Sequence, residues 1–390
     1  MPDATLQSIL ALIQEPVPQP VRDWKSNGQP VVGYFCQYVP QELILASGAL
    51  PLRLRGVGSD DPSLGDALMS GRVCTFVRHV MSLVLDGRYD VLDAAVCANT
   101  CDHVRRAADV FTHKTDIPCE FVSVPRSPRE SLFAYYLEEL RNLHASLCTR
   151  FGTAPTDDAL RDAIRTIESN RQRLRALPPL RQHQAPKLTG AESLALHIAS
   201  QVLPPKDFQS LADELLEALE RRPGFEDLRA RFVLIGAELD DPGYVRALES
   251  QGALVVGDQL CFGARSVLPP IDPDAQDPLE AIARTYFFRH SCARMMGDFP
   301  ARYESIVKLV DDCRADGVIF QRLMFCDPWG ADHHNILLRC KNVGGFPFLS
   351  LTREYGIVPT GQLRTRVQAF VERIEIARAQ ATPIQEGGES

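Results

Sequence analysis

The sequence has no apolar run near the roughly 20 residues that a membrane-spanning helix needs. It also has no Cys-x-x-Cys pair, no GxxxxGK[ST] phosphate loop and no strand-linked GxGxxG. The first absence argues against a membrane partner, and the second against a ribbon-type zinc site. The last two send any ATP or dinucleotide chemistry to another polypeptide. The opening stretch MPDATLQSILALIQEPVPQP carries Asp3 where a secretory signal would carry Lys or Arg. A soluble, cytoplasmic protein is therefore expected. A net charge of -8, with 42 basic residues, argues against nucleic acid as the main partner.

The chain has 390 residues, 45% apolar and 24% charged, which suits a globular protein of two or three domains. Short apolar runs alternate with helical stretches, the pattern of parallel α/β architecture. Residues 1–30 read as an N-terminal helical arm. A first α/β unit is expected over 31–128, with strands at VVGYFC (31–36), ALPLRLRG (49–56), YDVLDAAVCA (89–98) and IPCEFVSVP (117–125). Long helical periodicity with almost no β-branched runs marks 129–228 as a helical region. A second α/β unit is expected over 229–378, with strands at RFVLIGAEL, ALVVGD, ADGVIFQRLMFCD and PFLSLTREY. A disordered tail is expected over 379–390.

There are 11 cysteines, an odd number, and no secretion signal, so a disulfide framework is not expected. Three cysteines share one local context. Cys101 follows DAAVCANT and opens a helix, Cys326 follows GVIFQRLMF and precedes Asp327, and Cys74 opens CTFVRHVMSLVL. In open α/β sheets ligands gather outside the carboxyl ends of strands, beside helix N-termini, and a helix N-terminus favours thiolate. Three thiolates from separate segments suit an iron–sulfur cluster with one iron left open. Each one read alone is also a small buried hydrophobe.

The remaining cysteines divide. Cys97 reads as core, and CANTC lacks the third cysteine of a radical-SAM motif. Cys119, Cys148, Cys313 and Cys340 read as structural, while Cys36 and Cys261 end strands and stay open. Glu42 lies one turn into the helix after the first strand. It reads either as a dipole partner or as a catalytic proton-transfer group.

Taken together, YFCQYVPQELILASGALPLRL, NTCDHVRRAADVF, DGVIFQRLMFCDPW, GQLRTRVQAFVE and GAELDDPGYVRALESQGALVVGDQLCFGAR resemble the 2-hydroxyacyl-CoA dehydratase and benzoyl-CoA reductase family over roughly residues 30–375. The resemblance implies two Rossmann-like parallel-sheet units bridged by helices, with a [4Fe-4S] cluster in the cleft held by Cys74, Cys101 and Cys326. It also implies an acyl-CoA thioester substrate, a related second subunit and an ATP-hydrolysing iron–sulfur activator protein. The chemistry is one-electron, through a ketyl radical, and Arg53, Arg55 and Arg78 are candidates for the CoA entrance. Two alternatives stand beside it: a structural subunit without its own cluster, and a double-cubane-type electron-transfer reductase that does not bind CoA. Cys36 and Cys261 favour the latter. The absence of that branch's cysteine–proline pair, where this chain reads GAELDD, opposes it.

Overall fold

The computed structural model describes residues 2–289, 291–343, 345–356 and 360–381. Eight strands form two separate four-stranded sheets, both wholly parallel. The first sheet runs β2-β1-β3-β4, from β1 (Val31–Phe35), β2 (Leu50–Arg53), β3 (Ala94–Ala98) and β4 (Cys119–Val122). The second runs β6-β5-β7-β8, from β5 (Ala230–Gly236), β6 (Ala253–Gln259), β7 (Gly317–Leu323) and β8 (Phe348–Arg353). Both are two Rossmann-like units in which every crossover is helical, as parallel pairing requires. The strands are shorter than the apolar runs that announce them, because those runs continue into the loops that carry function.

Burial explains the layers. Along β1, Val31 and Phe35 enter one core and Val32 and Tyr34 another, the two-residue alternation of a sheet covered on both faces. β3 divides in the same way, with Ala95 and Cys97 on one side and Val96 and Ala98 on the other. The core that takes Val31 runs on through the second unit to Phe370. The other core belongs to the first sheet, the helices Glu130–Phe151 and Asp157–Arg175, and the helix Pro278–Phe287. That last helix lies within the chain segment expected for the second unit, yet it packs on the first. Phe287 stacks on Tyr136 with ring centres 5.3 Å apart. The segment that follows it is thereby delivered to the space between the sheets.

Leu6, Ile9 and Ile13 of the first helix, within the residues read as an N-terminal helical arm, are buried in the larger core. The final helix runs Thr360–Ala381, past the expected boundary at 378, and residues 382–390 of the expected tail lie outside the described residues. At the end of β5, Gly236 adopts a φ of +130, and a Cβ there would meet the Gln321 carbonyl oxygen at 1.8 Å. Only glycine lets β5 and β7 approach so closely where the chain turns toward Glu238.

Candidate functional site

The carboxyl ends of both sheets face one cavity enclosing about 90 Å³. Cys36 follows β1, Arg53 ends β2, and Cys101 lies three residues past β3. From the second unit come Glu238 after β5, Cys261 after β6 and Cys326 after β7. Cys74 joins them from the start of the helix Thr75–Leu85, and Cys292 from the segment beyond the helix Pro278–Phe287. Six of the 11 cysteines therefore line one space. Phe35, Phe76, Val77, Val104 and Trp329 supply its apolar surface.

Cys74, Cys101 and Cys326 are brought together as the sequence led us to expect. Cys74 and Cys101 are the residues just before the first turns of the helices Thr75–Leu85 and Asp102–Lys114, and Cys326 precedes the helix Asp327–Val343. Burial raises the Cys74 thiol to about 12, against the pull of the Phe76 and Val77 amides. It raises Cys101 to about 11, against the amides of Val104 and His103. Cys326 is pushed well above the ordinary thiol range by burial, then by Cys74, with the Trp329 amide opposing. The three helix starts thus point backbone donors at three desolvated sulfurs. His103 ties them together: its Nδ1 accepts the Cys74 amide at 3.1 Å, and its Nε2 lies 3.8 Å from Asp327.

The opposite wall holds Cys36, Cys261 and Cys292. Cys36 has a φ of 70 and Phe325, beside Cys326, a φ of 66. Left-handed backbone at non-glycine residues is costly and clusters at functional sites. The neighbouring Cys292, then burial, push the Cys261 thiol well above its ordinary range. The hydrogen bond from Cys261, then Arg265 and Arg294, pull Cys292 well below the usual thiol range. Sequence reasoning passed over Cys292. The available signal was RHSCAR, a cysteine set among arginines, but the partners that give it meaning lie far away in sequence.

Other expected residues go elsewhere. Glu42 does not line the cavity and is fully buried, 2.7 Å from Arg171 and 2.8 Å from the Tyr286 hydroxyl that donates to it. This pairing fixes the first helix of the sheet to the helical layer and holds Glu42, read in the sequence as a dipole partner or a proton-transfer group, outside the cavity that gathers the cysteines. Arg53 and Arg55 are each 1% exposed and stand at no entrance. Arg55 donates to the carbonyls of Ile13 and Asp240, and Arg78 pairs with Asp66 at 2.6 Å. A second, outer groove of about 330 Å³ shares Thr100, Cys101, His103, Arg294 and Pro328 with the inner cavity. Arg126, Met296 and Asn335 complete part of its wall.

Among the described residues, no three His, Cys, Asp or Glu side chains stand close enough to hold a single metal ion. One tetrahedral ion, with thiolate bonds near ~2.3 Å, would draw its sulfurs to within about 4 Å of one another. A cluster binds each thiolate through a different iron and keeps them farther apart. Soft donors spread around a mostly apolar space therefore fit a cluster and do not fit a lone ion.

The family model described as 2-hydroxyglutaryl-CoA dehydratase, D-component, matches residues 36–374. A benzoyl-CoA reductase subunit of Thauera aromatica is 26% identical over 91% of this chain and 94% of its own length. The (R)-2-hydroxyglutaryl-CoA dehydratase subunit beta of Acidaminococcus fermentans is 23% identical, over 90% and 94%. The (R)-phenyllactyl-CoA dehydratase beta subunit of Clostridium sporogenes is 22% identical, over 93% and 96%.

Proposed function

Because the chain belongs to the 2-hydroxyglutaryl-CoA dehydratase D-component family, we propose that it is the iron–sulfur subunit of an ATP-dependent, one-electron acyl-CoA enzyme. The reaction is 2-hydroxyacyl-CoA dehydration or benzoyl-CoA reduction, the first being favoured. Cys74, Cys101 and Cys326 are the residues that would hold a [4Fe-4S] cluster. The observation that carries the reading is their convergence, each from the start of a different helix, on one buried cavity. When bound, such a cluster supplies single low-potential electrons and, at an iron without a protein thiolate, a Lewis-acid site for a thioester oxygen.

The chain's own residues prepare that chemistry. Phe76, Val77 and Trp329 keep water from the sulfurs, and exclusion of water is one means by which a protein sets cluster potential. His103 accepts the Cys74 amide and so fixes the sulfur beside it. The outer groove, which meets the inner cavity at Thr100 and Cys101, is the approach for the acyl thioester. The chain has no phosphate loop, so ATP is hydrolysed on a separate activator protein, and the relatives named as subunits support a related second chain.

A specific observation favours a second reading. Cys36, Cys261 and Cys292 line the same cavity, and Cys292 adds a thiol although GAELDD lacks the cysteine–proline pair of the double-cubane branch. Six thiols suit that larger assembly and an electron-transfer reductase that does not bind CoA. Anaerobic iron and sulfide analysis, with binding of a 2-hydroxyacyl-CoA and of benzoyl-CoA to the chain with its partner and activator, separates the two. Four irons per chain and thioester turnover support the first. Eight irons without thioester binding replace it with the second, and absence of both iron and sulfide overturns both.

A further inference from the structure

Among the described residues, Arg53 is a buried arginine with two nitrogens that lack a hydrogen-bond partner. It ends β2 with only 1% of its surface exposed, and its guanidinium lines the cysteine cavity. Its Nε and Nη1 have no hydrogen-bond partner, and its Nη2 lies 3.7 Å from Glu238, beyond hydrogen-bond range. Oε2 of Glu238 is likewise buried and unpartnered. The group is nonetheless held in place, with its carbon 4.9 Å from the centre of the Phe262 ring and 5.4 Å from that of Tyr34.

Arginine is retained where its planar fork of donors is used. Buried donors left unmade carry the desolvation penalty with nothing in return. Two other buried arginines show the contrast: Arg302 places Nε and Nη2 on Asp332 at 2.6 and 2.7 Å, and Arg181 reaches Asp258 at 2.7 Å. Two aromatic rings orient Arg53 without consuming its donors, in a cavity lined by six thiols and apolar groups, with Glu238, Arg294, His103 and Thr100 as the remaining polar lining. An acceptor that enters this space must be anionic and must fit among sulfurs.

Resting on the cluster reading above, we propose that Arg53 is a tuning residue. Its Nε–H and Nη1–H are the donors that meet the negatively charged sulfur of the group the cysteines hold, and its charge favours that group's reduced state. Adding an electron makes a cluster more negative, and a fixed cation with hydrogen bonds to sulfur stabilises the product of that step. Arg53 thereby limits how strong a reductant the site becomes.

The test uses the full chain, purified anaerobically, with iron and sulfide counted and a redox titration followed by electron paramagnetic resonance. R53M is expected to keep its iron and to lower the reduced-to-oxidised ratio at fixed potential about tenfold, which is ~59 mV for one electron. R53K retains the charge without the fork and should fall between. If R53M loses its iron while its circular dichroism stays native, and R53K retains both iron and a near-native potential, the assignment also stands. A native iron count and an unchanged potential in R53M overturn it, as does iron loss in both variants. Absence of iron and sulfide from the unsubstituted chain overturns the cluster reading itself, and this inference with it.

Discussion

Cys74, Cys101 and Cys326 each stand at the start of a helix, whereas Cys36, Cys261 and Cys292 stand in loops ringed by buried guanidinium groups. On the first wall the backbone does the holding, through first-turn amides directed at sulfur and the partial positive charge of a helix N-terminus. On the second wall side chains do it. Arg289 donates to the Gln37 carbonyl beside Cys36 at 2.8 Å, and Arg265 to the Ser291 carbonyl beside Cys292 at 2.7 Å. Arg294 ties Cys292's segment to the carbonyls of Asn99, Val124 and Pro125 in the first unit. A wall held by backbone dipoles is specified within a few residues of each cysteine. A wall held by long side chains needs contacts between distant parts of the chain, such as the Arg289–Gln37 separation of 252 and the Arg294–Asn99 separation of 195.

The largest effect expected from this difference is in metal content. C74S, C101S and C326S should each lose most of the iron, measured anaerobically per chain. C36S, C261S and C292S should leave iron unchanged if the helix-held wall acts alone. A fall to about half in the loop-held variants would join the two walls in one larger assembly and break the contrast.

Next comes the residue that couples the walls. Arg302 is 4% exposed and pairs with Asp332 in the helix that follows Cys326. The same guanidinium donates to the Ser291 hydroxyl at 3.0 Å and to the Met295 carbonyl, on either side of Cys292. R302A leaves a buried carboxylate unpaired, which costs about 3–5 kcal/mol. The expected result is a matching fall in the urea midpoint of the apo chain. The double variant R302A/D332A should recover part of it, since paired partners are not additive.

A smaller loss is expected on the helix-held wall alone. H103A strands the buried Cys74 amide, at a cost of about 1–3 kcal/mol. Its signature is faster loss of iron to chelator, and H103N, which offers an oxygen acceptor near the same place, should restore much of the retention. Equal behaviour of H103A and H103N would show that the ring fills space and does not position Cys74.

The same contrast explains what the sequence disclosed. The two parallel-sheet units and the three helix-start cysteines were legible, because strand, cysteine and helix follow one another within one short stretch. The family resemblance rests on those stretches too. Cys292 was not legible, because the helix that precedes it crosses from the second unit's segment to pack on the first unit through Phe287 and Tyr136. The surroundings of Glu42 were not legible for a related reason. Its first-turn position suggested a pocket, but its partners Arg171 and Tyr286 lie on elements that only the fold brings near.

The smallest effect is one of pH, and it distinguishes the walls by their chemistry. The loop-held wall is set by arginines, which stay charged through the physiological range. The helix-held wall leans on His79, one turn along the helix that Cys74 opens. Its Nδ1 lies 2.9 Å from the Ser59 hydroxyl and 3.1 Å from the Ser59 carbonyl, and its ring centre is 5.2 Å from that of Tyr355. Burial, then Arg78, hold His79 below its ordinary value of 6.5, against the Ser59 carbonyl, Asp66 and Asp61. A histidine depressed in the folded state binds its proton more tightly when unfolded. Its contribution is therefore full above pH 6.5 and is lost as pH falls toward the folded value. H79Q keeps a donor for Ser59 and removes the titration. Between neutral pH and the lower end of that window, the native Tm should fall more than that of H79Q, by on the order of 1 °C for a chain of this size. Parallel Tm curves for the two proteins would show that the helix-held wall is as indifferent to pH as the wall built on arginine.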